Sequence, residues 1–277
     1  MLIRIGYDIE LALNAPTTVL CRLHVHPSRQ AHLQAPEQFS VAPALPFGTW
    51  RDDFDNVVTR IDVPAGVHSL RLSNQAVVAD SGVPDAVVPA ARQHTLHELP
   101  NALFRFLLPS RYCEVDSELM AFAWAQFGQV PEGWPRVQAI CDYVHGRLRF
   151  DYLQARANRT ALQGWQEGVG VCRDFAHLAV TLCRCMNIPA RYVTGYLGDI
   201  GIAPLPDPMD FSAWFEAWLD GRWYSFDARH NTPRIGRIVM ARGRDAADVA
   251  ITTVFGWSRL DRFEVVTHAL PEPAKNA

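Results

Sequence analysis

The first eighty residues alternate. Ile3, Ile5, Tyr7, Ile9 and Leu11 stand at every second position. This is the spacing of a strand with one buried face, because successive strand side chains point to opposite sides. Similar short runs recur over 19–26, 57–63 and 69–78, broken by proline- and glycine-containing turns at 43–48 and 64–66. The pattern predicts a small antiparallel β-sandwich over residues 1–90.

Residues 80–100 carry Pro84, Pro89 and Pro100 among scattered polar positions, a composition that favours an extended linker and places a domain boundary there. The period then changes. A helix is predicted over 117–127, and Val137, Ile140, Cys141, Val144 and Leu148 form an apolar stripe at helical spacing. Residues 174–186 are apolar nearly all round, as in a helix buried on most sides, and Pro189 stops it. Strand-type residues return over 190–197, followed by a loop near 198–208 and two strands joined by Asp220-Gly221. The fold class expected is α+β: a sandwich over 1–90, a mixed domain over 91–270 and a flexible tail over 271–277.

A two-residue hairpin turn at Asp220-Gly221 sets a register. Leu219 faces Arg222, and stepping outward pairs Trp218 with Trp223, Glu216 with Ser225, Trp214 with Asp227 and Ser212 with Arg229. Positions 212 and 227 then share one face as diagonal neighbours, roughly 7 Å apart.

Composition narrows the partners. With 49% hydrophobic and 20% charged residues the chain of 277 residues can bury a core without metal or disulfide. A net charge of -3 gives no field that would gather nucleic acid or an anionic membrane. Arg4, Asp8 and Glu10 interrupt the apolar start, and no run reaches membrane-spanning length, so a cytoplasmic location is expected. The six cysteines show no CxxC pairing, and there is no HExxH pair. Reduced thiols, no metal and no cofactor are expected. Cys21, Cys141, Cys183 and Cys185 read as small core residues.

Cys172 differs from the rest. In Gly168-Val169-Gly170-Val171-Cys172-Arg173-Asp174 two glycines precede a thiol that opens the buried helix. A helix N-terminus carries partial positive charge and unpaired amides, which favour a thiolate and can hold a developing oxyanion. The Cys172 backbone is the candidate oxyanion donor.

Gly-Val-Cys-Arg-Asp, together with residues 188–196, Ala213-Trp214-Phe215-Glu216 and Trp223-Tyr224-Ser225-Phe226-Asp227, resembles the signature of transglutaminase-like proteins. The resemblance covers roughly residues 100–260, and the β-rich front half is similar to the N-terminal domain of bacterial members. It implies a papain-like core, a central helix against an antiparallel sheet, and a Cys-His-Asp triad for acyl transfer or amide hydrolysis on a protein, peptide or small amide. By position Cys172 matches the nucleophile and Asp227 the orienting carboxylate. Where the family's histidine belongs, just before Ala213-Trp214, stands Ser212.

A serine hydroxyl cannot take a thiol proton at neutral pH, since nothing in it matches an imidazole of pKa near ~6.5. His230 is nearest in sequence, but strict alternation puts it on the face opposite Asp227 unless the strand ends or bulges after Ala228. His177, about 140° round the helix from Cys172, reads as a core histidine. Trp165, Trp214 and Tyr196 are candidate substrate-binding residues, with core packing as the alternative for the tryptophans. Asp227 could instead pair with Arg229, and Arg234, Arg237, Arg242 and Arg244 read as a solvated basic face. Two functional readings remain: a Cys172-dependent acyl-transfer enzyme with a rebuilt base, or a silent binding or scaffolding module that has kept its thiol.

Overall fold

The structure, a computed structural model, describes residues 1–204 and 208–271. The alternating front half forms strands β1 (Leu2–Leu13), β2 (Thr17–Cys21), β3 (Ser40–Ala42), β4 (Phe47–Arg51), β5 (Val57–Val63) and β6 (Ser69–Ala79), with a short helix α1 (Pro27–Gln30) after β2. The apolar set of β1 points inward. Ile3, Ile5 and Ile9 meet Val19, Ile61, Leu70 and Leu72 in one core between two sheets.

Residues 80–100 contain no strand and only a single 3-10 turn, Leu96–Glu98. Beyond them lie α2 (Glu118–Phe127), α3 (Trp134–Arg147), β7 (Arg149–Phe150), α4 (Ala161–Glu167), β8 (Val169–Gly170) and α5 (Cys172–Cys185). The predicted helix at 117–127 begins where its cap does, with Ser117 accepting a hydrogen bond from the Leu119 amide. The rest of the chain gives β9 (Ala190–Tyr196), β10 (Ser212–Leu219), β11 (Arg222–Phe226), β12 (Ile238–Gly243), β13 (Thr252–Val254) and β14 (Ser258–Ala269). Strands β11-β10-β9-β12 make an antiparallel sheet in that order.

Helix α5 is the pivot. It is buried from Asp174 to Cys185 and packs against α2, α3 and α4 as well as β9 and β10. Leu178, Val180 and Leu182 are completely enclosed, each contributing about 2 kcal/mol of apolar burial. Asn187 takes a left-handed φ of 58° and, with Pro189, ends the helix.

Two expectations are corrected. The division at residue 91 assigned everything up to 270 to the back half, yet β13 pairs with β2 and β14 runs antiparallel along β1, completing the two front sheets, β14-β1-β6-β3 and β13-β2-β5-β4. A long inner strand such as β1 needs a ladder on both edges, and alternation alone does not name the partner. Nor is the arginine cluster a solvated face throughout: Arg234 and Arg237 are only 3% and 8% exposed, because their guanidinium groups find Gly198, Asp85 and Asp227 inside the fold. Of the expected tail at 271–277, residues 272–277 lie outside the described residues.

Candidate active site

Local sequence fixes the thiol. Gly168 adopts φ 67°, the left-handed conformation that closes α4. Two residues on, any Cβ at Gly170 would lie 2.6 Å from the Asp174 Cβ, so only glycine lets β8 run into α5. Asp174 accepts from the Val171 amide at 2.9 Å and from Arg159 at 2.9 Å. This buried carboxylate sits in the first helical turn, where it complements the helix dipole. Cys172 is the first helical residue, where helical bonding leaves the amides unpaired.

The Cys172 side chain is partly exposed, with the Ala213 amide nearby. Burial is the main force on its acidity. Together with the nearby Asp210 it outweighs the Arg229 charge and the Ala213 amide, and the thiol is pushed up to about 11. At rest Cys172 is therefore a neutral thiol.

The second wall is built by a strand end. The hairpin pairs Leu219 with Arg222, Trp218 with Trp223 and Glu216 with Ser225, in the expected register, and Asp220 and Gly221 both take positive φ, 48° and 81°. The ladder stops at Phe215 opposite Phe226. The expected pairs 214/227 and 212/229 do not form.

Because β11 ends there, residues 228–230 turn back on Asp227. Its Oδ1 accepts from the amides of Arg229 at 3.0 Å and His230 at 3.1 Å. Its Oδ2 is 2.9 Å from His230 Nδ1 and accepts from Arg237 at 3.0 Å. Burial works to raise the Asp227 carboxyl, but the Arg237 charge and the His230 hydrogen bonds win and hold it well below the usual carboxylate range. The expected alternative partner, Arg229, meets Asp227 through its amide, and its guanidinium lies 3.7 Å over the Phe150 ring.

Cys172, Ser212 and His230 line one cavity of about 320 Å³, with Phe150, Tyr152 and Asp210 among its other walls. Tyr152 donates to Asp210 at 2.8 Å, and burial raises the Asp210 carboxyl. The Ser212 hydroxyl has no hydrogen-bond partner among the described residues. Three of the sequence-derived residues thus meet at one cavity, and the fourth, Asp227, stands directly behind His230.

The three aromatic candidates lie elsewhere. Trp165 packs against Phe122 and donates to the Tyr143 hydroxyl at 2.7 Å. Tyr196 is fully buried in the front core beside Phe211. Trp214 is buried with Val193 and Val239, on the face of β10 opposite the one α5 covers with Phe215 and Ala217. Large aromatic surface is worth most inside a core; Tyr196 and Trp214 reside there, and Trp165 packs half-buried against one. His177 is buried as expected, stacked with Tyr112 and accepting from the Ala246 amide.

Sequence reasoning missed Asp210, Tyr152 and Arg237. All three come from segments without a periodic pattern, so no spacing marks them. Among the described residues no three His, Cys, Asp or Glu side chains converge as a metal cage, and no helix is long and apolar enough to cross a membrane.

A thiol at a helix start, facing a sheet whose end carries an Asp-His pair, defines a papain-like α+β architecture. The family model described as the transglutaminase-like superfamily matches residues 121–228. A proposed cysteine protease from Cytophaga hutchinsonii, solved as a crystal structure, is 30% identical and superposes with a TM-score of 0.82 over 99% of this chain and 92% of its own. The chain belongs to the transglutaminase-like superfamily, and cysteine-based acyl transfer or hydrolysis is the general chemistry that these likenesses support. An uncharacterised Mycobacterium leprae protein is 28% identical over 218 residues, 75% of each chain. An uncharacterised Mycobacterium tuberculosis protein is 28% identical over 222 residues, 73% of this chain and 69% of that one.

Proposed function

We propose that the protein is a cysteine-dependent acyl-transfer enzyme or amide hydrolase in which Cys172 is the nucleophile, His230 the general base and Asp227 the group that orients it. One observation carries the reading. Cys172 and His230 line the same cavity while Asp227 Oδ2 holds His230 Nδ1 at 2.9 Å.

With Nδ1–H donated to Asp227, Nε2 of the neutral ring is the nitrogen that can accept a proton. The Cys172 proton passes to Nε2 as the sulfur attacks the substrate's acyl carbon, and the carbonyl oxygen takes the negative charge. Amides at the start of α5, that of Cys172 first, lie where that oxyanion develops. Collapse of the adduct breaks the bond to the leaving amine, which receives the proton from His230. Water or a second amine then resolves the thioester. Ser212 occupies the position of the family's histidine without its basicity, and the base comes instead from the turn after β11. Proteins, peptides and small amides are the substrates that fit this chemistry.

A resting thiol pushed up to about 11 favours a second reading, a binding module with an unactivated cysteine. The pH dependence of Cys172 alkylation, in the native protein and in His230→Gln, separates the two. Under the enzyme reading the native protein labels faster around neutral pH, with an acid limb that His230→Gln removes. Coincident profiles that rise only toward alkaline pH would leave the binding module standing.

A further inference from the structure

The Asp227 carboxylate holds two side chains at once. Its Oδ2 is 2.9 Å from His230 Nδ1 and 3.0 Å from the Arg237 Nη2. Arg237 is only 8% exposed, and its Nε donates to Asp85 Oδ2 at 2.8 Å. Asp85 belongs to the extended segment that joins the front and back halves, and there it is locked in place: its amide donates to the Arg234 carbonyl at 2.9 Å, and its Oδ2 accepts from the Arg234 amide at 2.9 Å. The chain of contacts therefore runs from the connecting segment through one guanidinium to the carboxylate that holds the imidazole.

On the strength of the acyl-transfer reading above, we infer that Arg237 is a positioning residue that shares Asp227 with His230 and thereby sets how tightly His230 holds its proton, with Asp85 setting the charge that Arg237 presents. The physical reason is competition. An unshared carboxylate stabilises an adjacent imidazolium and makes the ring a stronger base and a slower proton donor. A guanidinium on the same oxygen cancels part of that field, and it keeps the carboxylate anionic and oriented by a second, charge-assisted bond. A base that must accept the thiol proton and then release it to a leaving amine works best when its pKa lies near the working pH.

Other charged groups stand around this pair. From its own loop, Arg229 lies over Phe150 and Arg234 bonds the Gly198 carbonyl. Across the cavity stand Asp199, Asp210 and Cys172. On α3, behind the loop, Asp142 accepts from Asn231, and His145 Nδ1 contacts the Ala228 and Arg229 carbonyls. Among the described residues Arg237 alone donates a charged side-chain hydrogen bond to the oxygen that His230 uses.

The test is the titration of His230 by NMR, its signal assigned among the ten histidines by its loss in His230→Gln, alongside the pH profile of Cys172 alkylation. In Arg237→Met the His230 midpoint moves up by about one pH unit, and the acid limb of alkylation moves with it. In Asp85→Asn, which leaves the guanidinium charge less balanced, both move down by a smaller amount. The opposite signs guard against simple damage, since loss of packing would not drive the midpoint in two directions, and thermal melting of both variants checks that they fold. If Arg237→Met folds poorly, Asp85→Asn carries the test alone. A His230 midpoint unchanged in both variants, or moving the same way in both, overturns the inference. The titration does not depend on turnover. A shifted midpoint with no effect of His230→Gln on alkylation would instead sink the catalytic reading while leaving the charge sharing intact.

Discussion

The two walls of the cavity are built by different means. Cys172 rests on a helix whose every turn is buried among apolar side chains, with one capping carboxylate and two glycines shaping its start. His230 stands in a turn beyond a strand end, held by Asp227 and, through it, by Arg237 and Asp85. One wall is a short local motif on an apolar scaffold, and the other is a polar network drawn from positions 85, 227, 230 and 237. The nucleophile needs a fixed position, which packing gives at little electrostatic cost. The base needs a tuned proton affinity, which only charged neighbours supply.

Substitutions that break one wall should therefore fail differently from those that break the other. The largest effect is expected at the nucleophile: Cys172→Ala removes the thioester step and lowers acyl-transfer turnover by about 10³-fold or more, with melting temperature nearly unchanged. Retained turnover in a peptide or amide assay would refute the assignment. At the other wall, His230→Gln should lower turnover by about 10²- to 10⁴-fold and remove the acid limb, leaving a single alkaline rise toward the thiol's own ionisation near about 11.

Asp174→Asn sharpens the contrast because it attacks the scaffold of the first wall. Arg159 is 2% exposed and bonds Asp174 at 2.9 Å, so neutralising the carboxylate leaves a buried guanidinium with one partner fewer. The cost is about 3 kcal/mol of stability, read by denaturant unfolding, and activity in the surviving folded fraction should change little. Acid pH probes the second wall in a related way. The Asp227 carboxyl is depressed in the folded state relative to an unfolded value near ~3.9. Its contribution to stability is therefore present above about pH 4 and is lost as the pH falls below it. Asp227→Asn should flatten that part of the acid unfolding curve.

The smallest effect is expected at Ser212. Ser212 lines the cavity and its buried hydroxyl has no partner among the described residues, and Ser212→Ala should alter turnover by less than about threefold, since no proton transfer is assigned to it. A loss comparable to that of His230→Gln would move the base, or its support, to the position that the family pattern marks.

Helices α2, α3 and α5, strands β1, β2, β5 and β6 and the inner pairs of the hairpin were legible in the chain because each rests on a short-range periodicity or a turn dipeptide. Cys172 was legible for the same reason: glycines, thiol and capping aspartate lie within seven consecutive residues, 168–174. Asp227 was found by resemblance and by register. His230 could be reached only as an exception to alternation, and the exception is real because β11 ends at Phe226. The aromatic candidates lie away from the Cys172 cavity, since a bulky side chain near a motif is drawn to whichever core will bury it.

By itself the sequence determined the β-rich front, the buried helix and the thiol at its start, all set by interactions spanning a few residues. Tertiary structure alone decided that β14 returns to β1, that Arg237 reaches both Asp85 and Asp227, and that an imidazole from the turn at 228–230 faces the thiol's cavity. Those choices depend on contacts between distant segments, for which a linear pattern carries no spacing. Burial and charge pairing in the folded chain select them.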